Sequence, residues 1–246
     1  VVTGNYAIDI SGSAMQVGGV QPCPACPACG APSNDGPCPS TFSRLNTFNN
    51  TLTDNVIADV TIEYRGCTGV WAGYNANFTF THNNICRVAY GGISLGWGWA
   101  IPTSSVFNNG NKLSFNRISE WLRVLADSGA TYTLGPHPNS VVHDNYIHNG
   151  GSGIEPDGSF HGNGYYPDDG STWWHIFNNV AANLNGGKWL FAWNPNDEAN
   201  LTVYNNFADT SQYLCATKTC NFYNNTVVNV SSGEWISNIE KYWKRR

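Results

Sequence analysis

The chain has 246 residues, enough for one large all-β domain or two small ones. Charged residues make up only 12% of it and the formal net charge is −5, so no basic footprint for nucleic acid is present. No apolar run approaches the length of a membrane span, and we expect no membrane partner. Eight cysteines among few charges and many aromatic residues predict a secreted, extracellular, disulfide-bearing protein.

The first predicted elements are the end of one coil at 8–19 and an insertion at about 21–41, rich in proline, serine and cysteine. The cysteines of the insertion are Cys23, Cys26, Cys29 and Cys38. Their spacing is only loosely similar to an iron–sulfur motif, because the last gap is too long. We expect two local disulfide bonds that hold this loop, and no metal site.

Beyond the insertion, one short motif recurs: an asparagine, any residue, and then an apolar residue. The seven copies begin at Asn55, Asn83, Asn116, Asn145, Asn178, Asn205 and Asn225. Successive copies lie 20 to 33 residues apart, a spacing typical of stacked structural repeats. Asparagine tolerates left-handed turns, and its amide can form hydrogen-bonded ladders when repeats stack in register.

Apolar residues near these motifs alternate with other residues, as in Phe78-x-Phe80 and Leu201-x-Val203, which is a strand period. The sequence therefore predicts an all-β protein, a single right-handed parallel β-helix domain spanning 1–246 with about seven or eight coils. A β-sandwich is the alternative, but it gives the repeated asparagine no role.

The 93–99 stretch places glycines between large apolar residues and ends in Trp97 and Trp99. Glycine permits a tight turn or a close approach to a ligand. Paired tryptophans beside such a turn are typical of a sugar-stacking surface or of a well-filled core. Both interpretations stay open for Trp97 and Trp99.

The cysteines outside the insertion suggest two further links. Cys215 and Cys220 are close enough in the chain to pair, and Cys67 and Cys86 lie nearly one coil apart, where a bond would join adjacent coils. The pairing itself is left open. Five Asn-x-Ser/Thr sequences are candidate glycosylation sites: Asn49, Asn77, Asn200, Asn224 and Asn229.

Several short motifs resemble those of one family. They are Glu-Tyr-Arg-Gly at 63–66, Val-Trp-Ala-Gly-Tyr at 70–74, the 93–99 stretch, Tyr-Thr-Leu-Gly-Pro at 132–136, and Asp-Asp-Gly-Ser at 168–171. The family is the large secreted right-handed β-helix proteins that include polysaccharide-degrading glycoside hydrolases, and the resemblance covers 5 to about 209 without the insertion. It implies the C-terminal coils of such a protein, with a further domain upstream. Where the family has Asp-Gly-Gly-Gly and Asp-Glu-Gly-Ser, this chain has Asp-Ser-Gly-Ala at 127–130 and Asp-Asp-Gly-Ser.

Glycoside hydrolysis commonly requires two carboxyl groups. Asp127 lies nine residues after Ile118, and in the next repeat either Asp157 or Asp168 takes the same place. Asp168 does so if 155–166 is looped out. Because stacked strands lie about 4.8 Å apart, Asp127 and one of these acids are predicted to face one groove. We favour Asp168, followed by Asp169, because the residues after it match the acidic turn of the family.

These acidic residues have two alternative interpretations besides catalysis. These aspartates could simply cap backbone amides at tight turns. Glu155, Asp157, Asp168 and Asp169 could also bind calcium, although no loop signature supports this and we expect no cofactor. His137, His143 and His161 are isolated in the sequence and are interpreted as structural.

Two function classes remain open. The first is a carbohydrate-active protein, an enzyme or a binding module, acting on a plant or algal polysaccharide or oligosaccharide. Its predicted catalytic residues are Asp127, Asp168 and Asp169, and its substrate-binding residues are Trp97, Trp99, Tyr132, Trp173, Trp174, Glu155 and Asp157. The second is a structural module whose open coil edges stack head-to-tail into an extracellular glycoprotein filament.

Overall fold

The structure is a computed structural model that describes residues 1–19, 47–97, 107–151, 153, 162–195 and 198–228. Within these residues the chain forms short strands and contains no helix, so it offers no helix that could cross a membrane. Several predictions lie outside the described residues: those for Cys23, Cys26, Cys29, Cys38, Trp99, Glu155, Asp157, His161 and Asn229.

The strands are between two and eight residues long. The first thirteen are β1 (Val2–Thr3), β2 (Tyr6–Ile10), β3 (Met15–Val17), β4 (Thr47–Phe48), β5 (Thr51–Thr53), β6 (Val56–Val60), β7 (Val70–Ala72), β8 (Asn75–Ala76), β9 (Thr79–Thr81), β10 (Asn84–Val88), β11 (Ile93–Leu95), β12 (Lys112–Ser114) and β13 (Arg117–Ser119). The others are β14 (Ser128–Thr133), β15 (Pro136–His143), β16 (Tyr146–His148), β17 (Gly162–Pro167), β18 (Thr172–Phe177), β19 (Val180–Ala182), β20 (Leu190–Ala192), β21 (Leu201–Tyr204), β22 (Phe207–Ala208), β23 (Tyr213–Cys215), β24 (Cys220–Tyr223) and β25 (Thr226–Val227).

Three long parallel sheets run along the molecule, and each successive coil adds one strand to each. The first sheet has the order β1-β5-β9-β12-β15-β18-β21-β24, and the second β2-β6-β10-β13-β16-β19-β22-β25. The third sheet has the order β3-β7-β11-β14-β17-β20-β23, and β4 pairs separately with β8. This topology confirms the predicted parallel β-helix, with eight coils represented in the first two sheets.

The core is a set of apolar columns inside the coil. In the first sheet the inward column is Leu52, Phe80, Leu113, Val142, Ile176 and Val203, and in the second it is Ile57, Ile85, Ile118, Ile147, Ala181 and Ala208. Every one of these side chains is buried. Because side chains alternate between the two faces of a strand, the alternating pattern in the sequence places one residue of each pair inside.

An asparagine ladder runs between the first and second sheets, as the repeat predicted. In each step a side-chain Nδ2 donates to the Oδ1 of the asparagine in the next coil, at 2.8–3.1 Å. The ladder consists of Asn5, Asn55, Asn83, Asn116, Asn145, Asn179, Asn206 and Asn225. The amides thereby satisfy one another and several backbone carbonyls inside the coil.

In two coils the asparagine that begins the motif is not the one that forms the ladder. The ladder residues there are Asn179 and Asn206, because the ladder position directly precedes the strand of the second sheet. Asn178 and Asn205 occupy the preceding position, which has a positive φ in every coil. The left-handed turn and the ladder therefore belong to two consecutive residues, and an Asn-Asn pair fits the motif in either register.

The two described histidines interpreted as structural are packed in the coil wall. His137 is fully buried, lies 4.7 Å from the Trp174 ring, and contacts the backbone carbonyl of Leu134 through Nε2 at 3.1 Å. His143 stacks on Phe177 with ring centroids 4.9 Å apart. Both positions agree with a structural role.

One disulfide prediction is confirmed and the other is wrong. Cys215 and Cys220 are bonded, with Cα atoms 6.3 Å apart. Cys67 and Cys86 are free thiols. Cys86 lies within β10 in the second sheet, whereas Cys67 lies in the turn that precedes β7 of the third sheet. Nineteen residues carry the chain only part of the way round a coil, so the two side chains are not stacked.

Candidate functional site

The acidic turn, residues 168–171, connects β17 of the third sheet to β18 of the first sheet. The backbone N–H of Asp168 donates to the carbonyl of Thr133 at 3.0 Å, and the N–H of Ser171 donates to the carbonyl of Asp168 at 2.8 Å. Gly170 supplies the positive φ, 75°, that the turn requires. The turn therefore presents two consecutive carboxyl groups on the side of the third sheet where its strands end.

Asp168 is held by two donors from neighbouring coils. Its Oδ2 accepts a hydrogen bond from the Tyr132 hydroxyl at 2.5 Å, and its Oδ1 accepts one from Trp193 Nε1 at 2.7 Å. Asp168 is only 7% exposed, while Trp193 remains 41% exposed. Burial, followed by the nearby charge of Asp168, raises the pKa of the Tyr132 hydroxyl, which therefore stays a proton donor. The indole of Trp193 is thus anchored at its nitrogen and open to solvent over much of its surface.

Glu198 joins the two aspartates from the next coil. One carboxylate oxygen from each of Asp168, Asp169 and Glu198 lies within 4.8 Å of the other two. Asn194 links the group, since its Nδ2 donates to Asp169 Oδ1 at 2.5 Å and its backbone N–H donates to Glu198 Oε1 at 2.9 Å. Burial raises the pKa of Glu198 to about 8, and the charges of Asp168 and Asp169 act in the same direction against the backbone donors.

Asp127 lies on the opposite side of the third sheet, where its strands begin. It is exposed, has a φ of 58°, and directly precedes β14. The Tyr166 hydroxyl donates to its Oδ1 at 3.3 Å, and the Tyr90 hydroxyl donates to its backbone carbonyl at 2.7 Å. Asp127 therefore has hydrogen-bond partners of its own, separate from those of Asp168.

The prediction that Asp168 occupies the same place as Asp127 in the adjacent coil is wrong. Strands β14 and β17 pair with Ser128 beside Gly162 and Thr133 beside Pro167. Asp127 thus precedes one end of the paired strands, and Asp168 follows the other end. The prediction assumed that 155–166 forms a loop outside the coil, whereas 162–166 lies in β17.

An aromatic stripe runs across the strands of the third sheet on its outer face, from coil to coil. We define it as Tyr132, Tyr166 and Phe191, together with Trp71, which lies two coils before Tyr132 with Ser94 between them. Tyr132 and Tyr166 are register partners with ring centroids 5.1 Å apart, and Tyr166 lies 4.9 Å from Phe191. Tyr166 and Phe191 are buried, whereas Trp71 and Tyr132 are partly exposed. The Tyr132 hydroxyl reaches Asp168 and the Tyr166 hydroxyl reaches Asp127, so this tyrosine pair lies between the two acidic positions.

The predicted tryptophan platform is only partly on the surface. Trp97 is partly exposed and packs edge-on against Trp71, with centroids 6.3 Å apart. Trp173 is also partly exposed, but Trp174 is fully buried in the core. Trp174 therefore cannot contact a sugar, because strand alternation in β18 turns it inward. Trp173 belongs to the first sheet rather than to the aromatic stripe.

The site residues predicted from the sequence did not include Trp193, Asn194 and Glu198. They follow β20, which pairs with β17, so they lie one coil beyond the acidic turn. The available signal was the polar segment after the apolar triplet 190–192, about one repeat length from Asp168.

A separate hollow of about 260 Å³ lies on the side of the third sheet where its strands begin, where the chain passes from the second sheet to the third. Its lining includes Glu120, Arg123, Asn149 and Asn183. The hollow shares no residue with the acidic turn.

No protein-family model matches this chain, and no curated protein matches it. A solved structure described as a glycoside hydrolase is similar, with a TM-score of 0.59 and 26% sequence identity. The similarity covers 92% of this chain and 32% of the other, so this chain spans about a third of that structure's length. The chain thus has a glycoside hydrolase-like fold, which supports a carbohydrate-active role. An extracellular location is compatible with this similarity and with the disulfide bond.

Proposed function

We propose that this protein binds and hydrolyses a polysaccharide at the acidic turn, beside the exposed indole of Trp193. The observation that carries the proposal is the grouping of Asp168, Asp169 and Glu198, with oxygens within 4.8 Å, next to an aromatic ring that is 41% exposed. Aromatic faces bind the apolar faces of sugar rings, and clustered carboxyl groups supply acid and base chemistry.

Asp168 is assigned as the nucleophile and Asp169 as the acid. Hydrogen bonds from Tyr132 and Trp193 stabilise a negative charge on Asp168 and fix its orientation. Asp169 is the more exposed of the two and is the group we assign to protonating the leaving oxygen. Retaining glycosidases have carboxyl groups about 5–5.5 Å apart, and one oxygen from each carboxyl group here lies within 4.8 Å of the others.

In the first step, an Asp168 oxygen bonds to the anomeric carbon while the glycosidic C–O bond breaks and Asp169 gives its proton to the leaving oxygen. In the second step, Asp169 takes a proton from water, whose oxygen displaces Asp168 from the sugar. Glu198 is too buried to touch the substrate and serves to position the turn. Asp127, on the other side of the tyrosine pair from Asp168, is assigned to sugar hydroxyls.

The test is hydrolysis of a panel of plant and algal polysaccharides, measured as new reducing ends. Asp168→Asn and Asp169→Asn should each lower the rate by about a hundredfold or more. Asp127→Asn should mainly raise KM, and the exposed Asp54→Asn should change nothing. Thermal melts establish that each variant is folded. Full activity in Asp168→Asn, or no cleavage of any polysaccharide by the wild type, would refute the proposal.

We also propose that the protein is extracellular and carries N-linked glycans. The support is that Asn49, Asn77, Asn200 and Asn224 are all exposed in the structure. Intact-mass analysis of protein secreted from a eukaryotic host, before and after glycosidase treatment, tests this; an unchanged mass at all four positions would count against it.

End-to-end assembly is a second candidate function. Among the described residues, β1 and β2 each pair on one side only, with β5 and β6. Tyr6 is 77% exposed there, and at the opposite end of the described coils Tyr223 and Val227 are exposed. We propose that these ends are covered either by a preceding domain of a longer protein or by further copies of the chain. Assembly of copies should show concentration-dependent growth in sedimentation, and a monomer at all concentrations would exclude it.

A further inference from the structure

We propose that Asp168, Asp169 and Glu198 form a binding site for a divalent cation, and that the ion it fits best is calcium. The proposal concerns the same turn as the hydrolysis proposed above, but it does not depend on hydrolysis taking place.

The spacing of the three carboxylates suits one shared ion. Calcium binds oxygen ligands at 2.3–2.6 Å, so two ligands on opposite sides of the ion are at most about 5 Å apart. The three oxygens lie within 4.8 Å of one another, so a single ion can reach all of them. A ligand set made only of carboxylate oxygens favours hard ions such as calcium and magnesium over zinc.

Glu198 provides the independent sign that a ligand belongs here. Its side chain is fully buried, and Oε1 accepts the backbone N–H of Asn194, but Oε2 has no hydrogen-bond partner. Leaving a buried carboxylate oxygen unpaired is costly. A cation bound among the three carboxylates supplies the missing partner.

The neighbouring side chains hold the ligands in place from behind. Tyr132 and Trp193 orient Asp168, and Asn194 orients Asp169 through a bond of 2.5 Å. Donors of this kind commonly fix metal ligands and tune their affinity. Asp169 is partly exposed, which leaves one side of the ion open to water or to sugar hydroxyls. Calcium, which accepts six to eight ligands in flexible geometry, suits such a site better than the strictly octahedral magnesium.

A bound ion also regulates the proposed reaction. A carboxylate oxygen that coordinates calcium is a poorer nucleophile, and an ion-bound carboxyl group has lost the proton it would donate. We therefore expect calcium to inhibit hydrolysis and a chelator to restore it.

The test measures binding directly, without any carbohydrate. The chain is freed of metal with a chelator and titrated with terbium, a luminescent calcium substitute that a nearby indole excites. Terbium emission excited through tryptophan should rise to saturation, and added calcium should reverse it at lower concentrations than magnesium does. Trp193→Phe should dim the emission while calcium, measured by calorimetry, still binds.

The matched variants are Asp169→Asn and Glu198→Gln, with Asp54→Asn as the control. The first two should weaken calcium binding by about tenfold or more, and the control should bind like the wild type. Asp169→Asn keeps the result interpretable if Glu198→Gln fails to fold. No calcium binding by the wild type, or equal binding by Asp169→Asn, overturns the proposal. Cleavage of polysaccharide without calcium binding would overturn this inference alone.

Discussion

At the scale of single residues, His137 shows how strongly the coil interior controls side-chain chemistry. Asn111 Nδ2 donates to its Nδ1 at 3.1 Å, and its Nε2–H donates to the carbonyl of Leu134. The contact with Asn111 requires the neutral imidazole, because a protonated ring has no acceptor for that amide. Burial lowers the pKa of His137 to about 3, and the Leu134 carbonyl only partly opposes this shift.

His137 should therefore make the protein sensitive to acid. Below pH 6.5 the unfolded chain gains a proton at this site, while the folded chain does not until about pH 3. The free energy of unfolding should fall between these values by about 1.4 kcal/mol per pH unit from this residue. Thermal melts of the wild type, His137→Asn and the exposed control His82→Asn, between pH 7 and pH 5, measure it. Identical pH dependence in the wild type and His137→Asn would contradict this account.

The residue scale also shows what the sequence could reveal about the site. The Asp-Asp-Gly-Ser motif at 168–171 identified the acidic turn, because tight turns carry a local signature. Glu198 and Trp193 have no such signature, and their positions depend on which loops stack over the turn. The misplaced register of Asp127 has a different cause: the strand at 162–167 begins Gly-Asn-Gly, and glycine and asparagine are depleted in strands.

At the scale of elements, the asparagine ladder is what sets the coils in register. Asn179 is fully buried: its Nδ2 donates to the carbonyl of Val142 and to Asn206, and its Oδ1 accepts from the backbone and side chain of Asn145. The repeated motif predicted this ladder, and the alternating apolar residues predicted the columns inside it. The exact ladder residue could not be chosen where two asparagines are adjacent.

The ladder yields a prediction that separates the two adjacent asparagines. Asn179→Ala leaves the backbone N–H of Asn145 without an acceptor and removes the donor to Val142 and Asn206, which should cost on the order of 3 kcal/mol. The melting temperature should fall by roughly 6–12 °C. Asn178→Gly keeps the positive φ and touches no ladder bond, so it should cost less than about 1 kcal/mol. Equal losses in the two variants, measured by calorimetry, would show that the ladder has been assigned to the wrong residue.

At the scale of the whole molecule, the proposed function depends on turns that a regular scaffold stacks beside one another. The three sheets repeat with little variation, whereas the turns at the two edges of the third sheet differ from coil to coil. Asp168, Asp169 and Glu198 lie where the strands of the third sheet end. Asp127 and the hollow beside Glu120 and Arg123 lie where these strands begin. The similarity to a glycoside hydrolase covers the scaffold, and the carboxylate cluster is where we propose that its chemistry takes place.

The most direct measurement is a crystal structure of the protein with an oligosaccharide taken from a polysaccharide that it binds. We expect a sugar ring on the exposed face of Trp193, with a glycosidic oxygen within hydrogen-bonding distance of Asp169 and an anomeric carbon next to Asp168. A sugar bound only elsewhere, such as in the hollow beside Glu120 and Arg123, with the acidic turn untouched, would contradict the central claim.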